Sequence, residues 1–259
     1  MGNNLLSEIW QRRSLIILFA FNEVKLRYRN SFLGFLWTFL EPLLMLSVLY
    51  FVFTNLFKSQ IENYPIFLLL GLIIWYMFSR STTMGLSSLL DKAGIIQKVY
   101  FRREIIVISS VLAAFIMMVF EFLAFAVFVV AFHFIPPPTI MLLPLLLADL
   151  FILSLGISLL LSVLNVYFRD IKFIWQVLIQ VGFFISPIIY NLNNFPPAMT
   201  SLLRLNPLVS IFDAAHNLVL YNSLPTINSV AYLITLTAVI FVIGYTVFRF
   251  KDKNIIQEL

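Results

Sequence analysis

Three carboxylates lie in long apolar stretches of this 259-residue sequence: Glu41, Glu121 and Asp149. A carboxylate in such a setting either serves a proton relay or is neutralised by a proton, a hydroxyl, an amide or a basic side chain of a neighbouring helix. A relay would need a matching cluster of basic residues in the same stretches, and the sequence has none. We therefore expect the three acids to be protonated or paired, without assigning a transport role to any of them.

Other reactive groups are few. The histidines are His133 and His216, which fall outside the apolar stretches, and two histidines without further ligands do not make a metal site. The sequence contains no cysteine, which excludes disulfides, zinc-thiolate sites and a cysteine nucleophile. No glycine is directly followed by lysine, so the G-x-x-x-x-G-K-S/T phosphate loop is absent. We expect no catalytic, cofactor or metal site, and another chain must hydrolyse ATP if ATP drives the protein.

The composition favours a membrane protein. Hydrophobic residues make up 61% of the sequence, charged residues only 11%, and the mean hydropathy is +0.99. Soluble domains average about 25% charged residues, so this chain lacks the charges for a water-facing surface. The net charge of +5 does not indicate nucleic-acid binding, because basic residues of membrane proteins collect on cytoplasmic loops. We expect one membrane domain over residues 1–259.

The hydropathy pattern predicts an all-α, polytopic fold with six transmembrane helices. A span needs about 20 predominantly apolar residues. The six predicted spans are residues 32–57, 65–87, 105–132, 139–166, 173–190 and 228–250.

The distribution of basic residues orients these spans. With six spans both termini share one side, and that side holds every Lys and Arg except Lys58 and Arg204, which is 15 of the 17. Positive charge favours the cytoplasm, so we predict that both termini are cytoplasmic.

Two connecting stretches on the predicted cytoplasmic side have features of their own. Residues 4–30 are predicted to form an amphipathic helix in the membrane interface. Its apolar face consists of Ile16, Ile17, Ala20, Phe21, Val24 and Tyr28. Residues 88–104 form the largest internal cytoplasmic connection, which is basic and has a short apolar side. We expect it to pack on something outside the membrane.

The stretch 191–227 is predicted to form a broken, re-entrant hairpin on the external side. Pro197 and Pro207 each suit the first turn of a helix. The resulting pieces, 198–205 and 208–221, are too short to cross a bilayer.

Four sequence segments, in this order along the chain, resemble one permease family. They are residues 25–37 (KLRYRNSFLGFLW) closing on 41–43 (EPL), residues 165–171 (NVYFRDI), residues 186–190 (SPIIY) and residues 205–207 (LNP). The family comprises the membrane subunits of ABC transporters that export polysaccharides and polyol phosphates, such as capsule, O-antigen and teichoic-acid exporters. Glu41 departs from the pattern, since many members carry an apolar or aromatic residue before the proline.

The resemblance implies an assembly. The permease is expected to be a homodimer with the polymer path at the interface between the copies. Two copies of a separate ATP-binding subunit, which holds the ATP and Mg, are expected on the cytoplasmic side. The cargo is expected to be a lipid-linked glycan or polyol-phosphate polymer, and the location the cytoplasmic membrane of a prokaryote.

The resemblance also suggests roles for particular residues. Arg27, Tyr28 and Arg29 are expected at the cytoplasmic substrate entrance, where guanidinium groups bind a diphosphate well, although they could instead anchor the helix to anionic lipid. Arg169 and Asp170 are expected in a structural turn. The candidate contacts with the ATP-binding subunit are Glu8, Arg12, Arg13, Lys92, Lys98, Tyr100, Arg102 and Arg103. The aromatic candidates for lining the path are Trp37, Phe39, Tyr50 and Tyr190.

Three other classes of protein fit less well. Only the motif resemblance favours the polymer exporter over a related ABC permease for drugs or small lipids. A stand-alone secondary transporter would need paired half-helices at mid-membrane or an ion relay, and the sequence indicates neither. A membrane enzyme would need acids, histidines or metal ligands clustered at one interface, and these are lacking.

Overall fold

The computed structural model describes residues 11–29, 31–55, 61–98, 101–192, 195–252 and 255–258, and the regular structure in these ranges is helical. Short 3-10 turns, Gly34–Leu36 and Pro138–Leu142, lead into α2 and α6. The α-helices are α1 (Arg13–Arg27), α2 (Trp37–Asn55), α3 (Tyr64–Asp91), α4 (Ala93–Ile96), α5 (Glu104–Ala131), α6 (Leu143–Tyr167), α7 (Ile171–Ile185), α8 (Pro197–Leu203), α9 (Pro207–Val219), α10 (Ile227–Lys251) and α11 (Ile255–Glu258).

The all-α, polytopic fold is confirmed. Within the described residues, five helices are long and apolar enough to cross a membrane, namely α2, α3, α5, α6 and α10 with the turns that precede them. The predicted fifth span, 173–190, is the shorter apolar helix α7, whose 15 residues extend about 22 Å against about 30 Å of hydrocarbon. It ends at Ile185 because Ser186, which precedes Pro187, adopts an extended backbone. A sixth crossing and the side of each terminus stay predictions.

Helix α3 forms the centre of the bundle. It is buried over most of its length and contacts α2, α5, α6, α7 and α9. A Cβ added at Gly85 would lie 2.4 Å from the Cβ of Ser158, so the two helices α3 and α6 meet at a glycine. Ser158 and Asn165 of α6 donate hydrogen bonds to the α3 carbonyls of Ser81 and Leu86, at 3.2 and 3.0 Å. Small residues and polar contacts of this kind hold helices together in lipid.

Helices α6 and α10 approach even more closely. A Cβ at Gly244 would lie 2.0 Å from the carbonyl oxygen of Gly156, and a Cβ at Gly156 would lie 2.6 Å from the Cα of Phe241. The absence of both side chains therefore sets the distance between these helices.

Helix α1 packs lengthwise on α5. Its buried residues, Ile16, Ala20 and Val24, recur every four positions and form a single narrow stripe. The predicted apolar face was too wide, because Ile17 and Phe21 are 46% and 54% exposed. Both ends of the predicted 4–30 helix, residues 4–10 and residue 30, lie outside the described part of the chain. We call the end of the bundle that carries α1, α4 and α11 the cytoplasmic end, following the predicted orientation.

The stretch between α7 and α10 contains two short helices. Both begin at the predicted prolines, and the side chain of Asn206 caps α9 by accepting from the Leu208 amide at 3.0 Å. Helix α9 is largely buried against α3 and α6, so it seals the opposite end of the bundle from α1.

Candidate functional site

A buried arginine joins three of the long helices. Arg80 of α3 is 5% exposed, and its guanidinium donates to two carboxylates. One carboxylate is that of Glu121 on α5, which is fully buried. The other is that of Glu41 on α2, which accepts at 3.0 Å and is 41% exposed. We call Arg80, Glu41 and Glu121 the ion network.

The ion network neutralises two of the three acids that the sequence singled out, as expected, by a basic side chain of a neighbouring helix. The third, Asp149, accepts a hydrogen bond of 3.0 Å from the hydroxyl of Thr237 on α10. The sequence counted Arg80 among the basic residues of the cytoplasmic side, and the structure shows its guanidinium enclosed in the bundle. Its partners lie 39 and 41 residues away in the chain, so no spacing pattern pointed to them.

The ion network lies near the cytoplasmic end of α2. Glu41 is four residues after Trp37, the first residue of α2, and therefore about 6 Å along the helix axis. A half-exposed carboxylate at this depth can be solvated from the headgroup region, whereas Glu121 depends on Arg80 for its compensation.

A groove opens beside the ion network. It encloses about 620 Å³ between α1, the turn before α2, and α5. Gly34 forms the turn with φ +51°, a backbone conformation that favours glycine. The lining residues are Phe21, Asn22, Val24, Lys25, Tyr28, Gly34, Phe35, Ile116 and Phe120. Among the described residues, the lining of the groove thus combines an aromatic floor with one cation and an amide, and it includes no carboxylate.

Helix α7 carries a polar stripe on an otherwise apolar surface. Lys172, Gln176 and Gln180 recur every four residues, all three are exposed, and α7 has no buried residue. An amide facing hydrocarbon has no hydrogen-bond partner there, so this stripe suits water or another protein chain. Sequence reasoning missed these glutamines, although their spacing of four within a predicted span was visible.

The predicted contacts with an ATP-binding subunit fall into two groups. Arg12, Arg13 and Lys98 are exposed on the cytoplasmic end, and Arg102 is partly buried. Lys92 donates to Glu23 of α1, and Arg103 donates to Asp252 beyond α10. Glu8 and Tyr100 lie outside the described residues.

The predicted entrance residues lie next to the groove. Arg27 and Arg29 are exposed, and Tyr28 is partly buried, with its hydroxyl 3.6 Å from the sulfur of Met117. The turn residues Arg169 and Asp170 are exposed between α6 and α7.

The four aromatic path candidates do not cluster. Trp37 and Phe39 belong to the cytoplasmic end of α2, whereas Tyr50 lies 6.3 Å from the ring of Tyr64 at the other end. Tyr190 also lies at that other end, where its hydroxyl donates to the carbonyl of Ile185 and burial raises its pKa.

The external end contains a small polar cluster. His216 of α9 is buried, stacks on Phe67 with ring centres 3.7 Å apart, and bonds through Nε2 to the Phe67 carbonyl at 3.1 Å. Burial lowers the pKa of His216 to about 3, so it is neutral. Nearby, Arg204 donates to Asp213 at 3.0 Å.

Residues 14–220, including the ion network, the groove and the stripe, match the family described as ABC-2 type transporter. The chain belongs to this family. The ABC-2 chain is similar to the O-antigen export system permease protein RfbA of Myxococcus xanthus, at 30% identity over 98% of this chain and 99% of that protein. It is 33% identical to an RfbA of Klebsiella pneumoniae over 76% of each chain, and 25% identical to the polysialic acid transport protein KpsM of Escherichia coli over 91% and 93%.

The ion network predicts unequal effects of removing its two acids. Glu121→Ala leaves the buried Arg80 without its nearest partner and should lower the free energy of unfolding by ~3 kcal/mol or more. Glu41→Ala removes a half-exposed partner and should cost about 1 kcal/mol or less. Chemical denaturation in detergent measures both values, with Glu62→Ala at an exposed position as the control. Equal losses for the two variants would contradict the assignment.

Proposed function

We propose that this ABC-2 chain is the permease subunit of an ATP-driven exporter for a lipid-linked polysaccharide or polyol-phosphate polymer of the O-antigen, capsule or teichoic-acid type. The chain is a multi-pass membrane component, and the membrane concerned is the cytoplasmic membrane of a prokaryote. ATP hydrolysis takes place in a separate partner chain.

The similarity to named exporters carries this proposal. The Myxococcus xanthus relative matches nearly end to end, so similarity is not confined to one shared segment. Its name refers to O-antigen export and that of KpsM to polysialic acid, and both cargoes are long glycans. Because the relatives are named for two different glycans, a polymer is favoured over a drug or a small lipid as the cargo of this chain.

We infer that two copies of the chain form the path between them. The stripe Lys172, Gln176 and Gln180 needs a polar environment that a lone copy in lipid does not provide. Helix α2 is also largely exposed and offers Trp37 and Tyr50, whose faces suit the apolar face of a sugar ring. A water-filled path bordered by α2 and α7 of each copy hydrates the polar stripe of α7 and presents the aromatic residues of α2 to a sugar chain.

The groove and the arginines beside it support an entrance for a phosphate-bearing lipid. Arg27 and Arg29 present exposed guanidinium groups, and Lys25 lines the groove itself. Guanidinium groups bind phosphate oxygens in a two-point geometry, which suits the diphosphate of a polyprenyl carrier. The aromatic floor of the groove suits the first isoprenoid units.

Two copies of the ATP-binding subunit, which bind ATP and Mg, would dock on the cytoplasmic end. Arg12 and Lys98 are exposed there for contact. Helix α1 is joined to α5 by its buried stripe, and Glu23 bonds both Lys92 and Ser110. A push on α1 is therefore passed to α3 and α5 directly.

The proposed function is tested by depleting the chain in its native cell. A polymer exporter leaves its cargo inside, so lipid-linked polymer should accumulate in the inner leaflet and disappear from the cell surface. Both effects should be reversed by the wild-type gene, as measured by gel analysis of extracted lipid-linked glycans. Unchanged surface polymer after depletion would refute the function.

Arg27→Gln with Arg29→Gln should reduce export about tenfold or more, because two charge-assisted contacts to the diphosphate are lost. Co-purification of the ATP-binding subunit should be unchanged. The matched control is Arg27→Lys with Arg29→Lys, which keeps the charge but not the two-point geometry. Partial export in the lysine variant is the expected result, whereas full export in either variant would remove the entrance role.

Single cysteines on α7 test the path. The chain contains no cysteine, so Gln176→Cys and Gln180→Cys introduce unique thiols. Both should react with a membrane-impermeant thiol reagent at least about tenfold faster than Leu178→Cys, because only the thiolate in contact with water reacts. Leu178 is similarly exposed in the single copy but lies on the opposite side of the helix. Equal rates at the three positions would place the stripe in lipid.

A further inference from the structure

The chain after α10 folds back onto the cytoplasmic end of the bundle. Ile255 is 0% exposed and packs in a cluster that includes Ile16 of α1, Ile96 of α4 and Ile105 of α5. The burial of Ile255 attaches the chain beyond α10 to the bundle.

Two ion pairs attach the end of α10 and Asp252 to the rest of the cytoplasmic end. Arg103 donates to both the carboxylate and the carbonyl of Asp252, and Arg249 donates to Glu104 at 3.2 Å. The neighbouring residues Arg103 and Glu104 carry opposite charges, and each pairs with a residue of the other sign near the end of α10. The pattern fixes the register, because a shift of either segment would bring like charges together.

Burial makes the first of these pairs stronger than an ordinary surface contact. Its side chains, Arg103 and Asp252, are 11% and 24% exposed, so solvent screens them little. In the second pair Glu104 is 3% exposed, whereas Arg249 is 43% exposed and is screened more by solvent. The ammonium of Lys251 also lies 5.2 Å from the centre of the Tyr167 ring at the end of α6. Together, Arg249, Lys251 and Asp252 bind the start of α5, the end of α6 and Arg103, and Ile255 adds the apolar cluster.

We propose that Arg249, Lys251, Asp252 and Ile255 form a clasp that holds the 101–104 stretch in the position in which the connection meets the ATP-binding subunit. Asp252 is the positioning residue, because its carboxylate and its backbone carbonyl both accept from Nη1 of Arg103. Arg103 is then an internal support for the docking surface, and exposed residues such as Lys98 make the contact itself. The inference rests on the proposed function for its partner and not for its geometry.

The test uses the full-length chain with its ATP-binding subunit in lipid vesicles. Asp252→Lys reverses one charge of the clasp and should lower the polymer exported per ATP hydrolysed about tenfold, since a mispositioned connection no longer passes on the motion. Assembly of the complex should stay near the wild-type level, whereas the thermal midpoint of the permease should fall, because Arg103 loses a largely buried partner. The exchanged pair, Arg103→Asp with Asp252→Arg, should restore export per ATP to within about twofold.

A spectroscopic measurement separates the clasp from the proposed function. A nitroxide attached to Lys98→Cys, a unique thiol in this sequence, reports the mobility of the connection in the permease alone. Asp252→Lys should make this label more mobile, and the exchanged pair should reverse the change. Glu258→Lys, the same charge change at an exposed position, is the matched control and should leave both readouts unaltered.

The outcomes are distinct. If wild-type complex exports no polymer but Asp252→Lys still mobilises the label, the clasp stands and the proposed function fails. If Asp252→Lys leaves both export per ATP and label mobility at wild-type values, the clasp is overturned. Should Asp252→Lys fail to accumulate, Asp252→Asn removes the charge alone and is judged by the same two readouts.

Discussion

The buried guanidinium of Arg80 determines how α2, α3 and α5 pack together. Apolar surface gains little from association when the solvent is itself hydrocarbon, so specific polar contacts and small residues decide which helices meet. Arg80 is compensated chiefly by the buried carboxylate of Glu121 and in addition by the half-exposed carboxylate of Glu41. An arrangement that separates α3 from α5 leaves a charge without its buried partner in a medium of low dielectric constant, and this cost selects the observed packing.

The sequence predicted the features that depend on hydropathy and on local backbone chemistry. Apolar length located the five long helices, and Pro197 and Pro207 located the starts of α8 and α9 within the external stretch. It did not predict the end of α7 at Ile185, because the apolar residues continue past the proline that limits the helix. Nor did it predict that Ile17 and Phe21 stay exposed, since the width of a buried stripe depends on what packs against it.

The candidate site was predictable only in part, because its residues come together through tertiary contacts. Glu41 and Glu121 drew attention as acids in apolar stretches, but nothing in the spacing of the chain connects them to Arg80. The RYR segment indicated an entrance, whereas the groove beside it exists only because α1 packs on α5 and the chain turns at Gly34. The glutamines of α7 were overlooked because an amide does not stand out by charge.

The helices differ greatly in how firmly they are attached, and this bears on which of them can move. The cytoplasmic ends of α1, α5, α6 and α10 share one apolar cluster with Ile255, so they respond to a force as one body.

Helix α2 buries only Thr38, Pro42 and Leu46, and it joins α1 through the turn at Gly34. Its displacement therefore exposes fewer buried residues than that of α3, α5 or α6 would. Its polar attachment to the body is the bond between Glu41 and Arg80, whose carboxylate is half-exposed and can be solvated when the bond opens. Arg80 keeps Glu121 in that event, so no buried charge is left alone. The network thus allows α2 to leave the bundle near its cytoplasmic end while α3 and α5 stay paired, which is the mechanical property that a helix bordering a path for a bulky cargo requires.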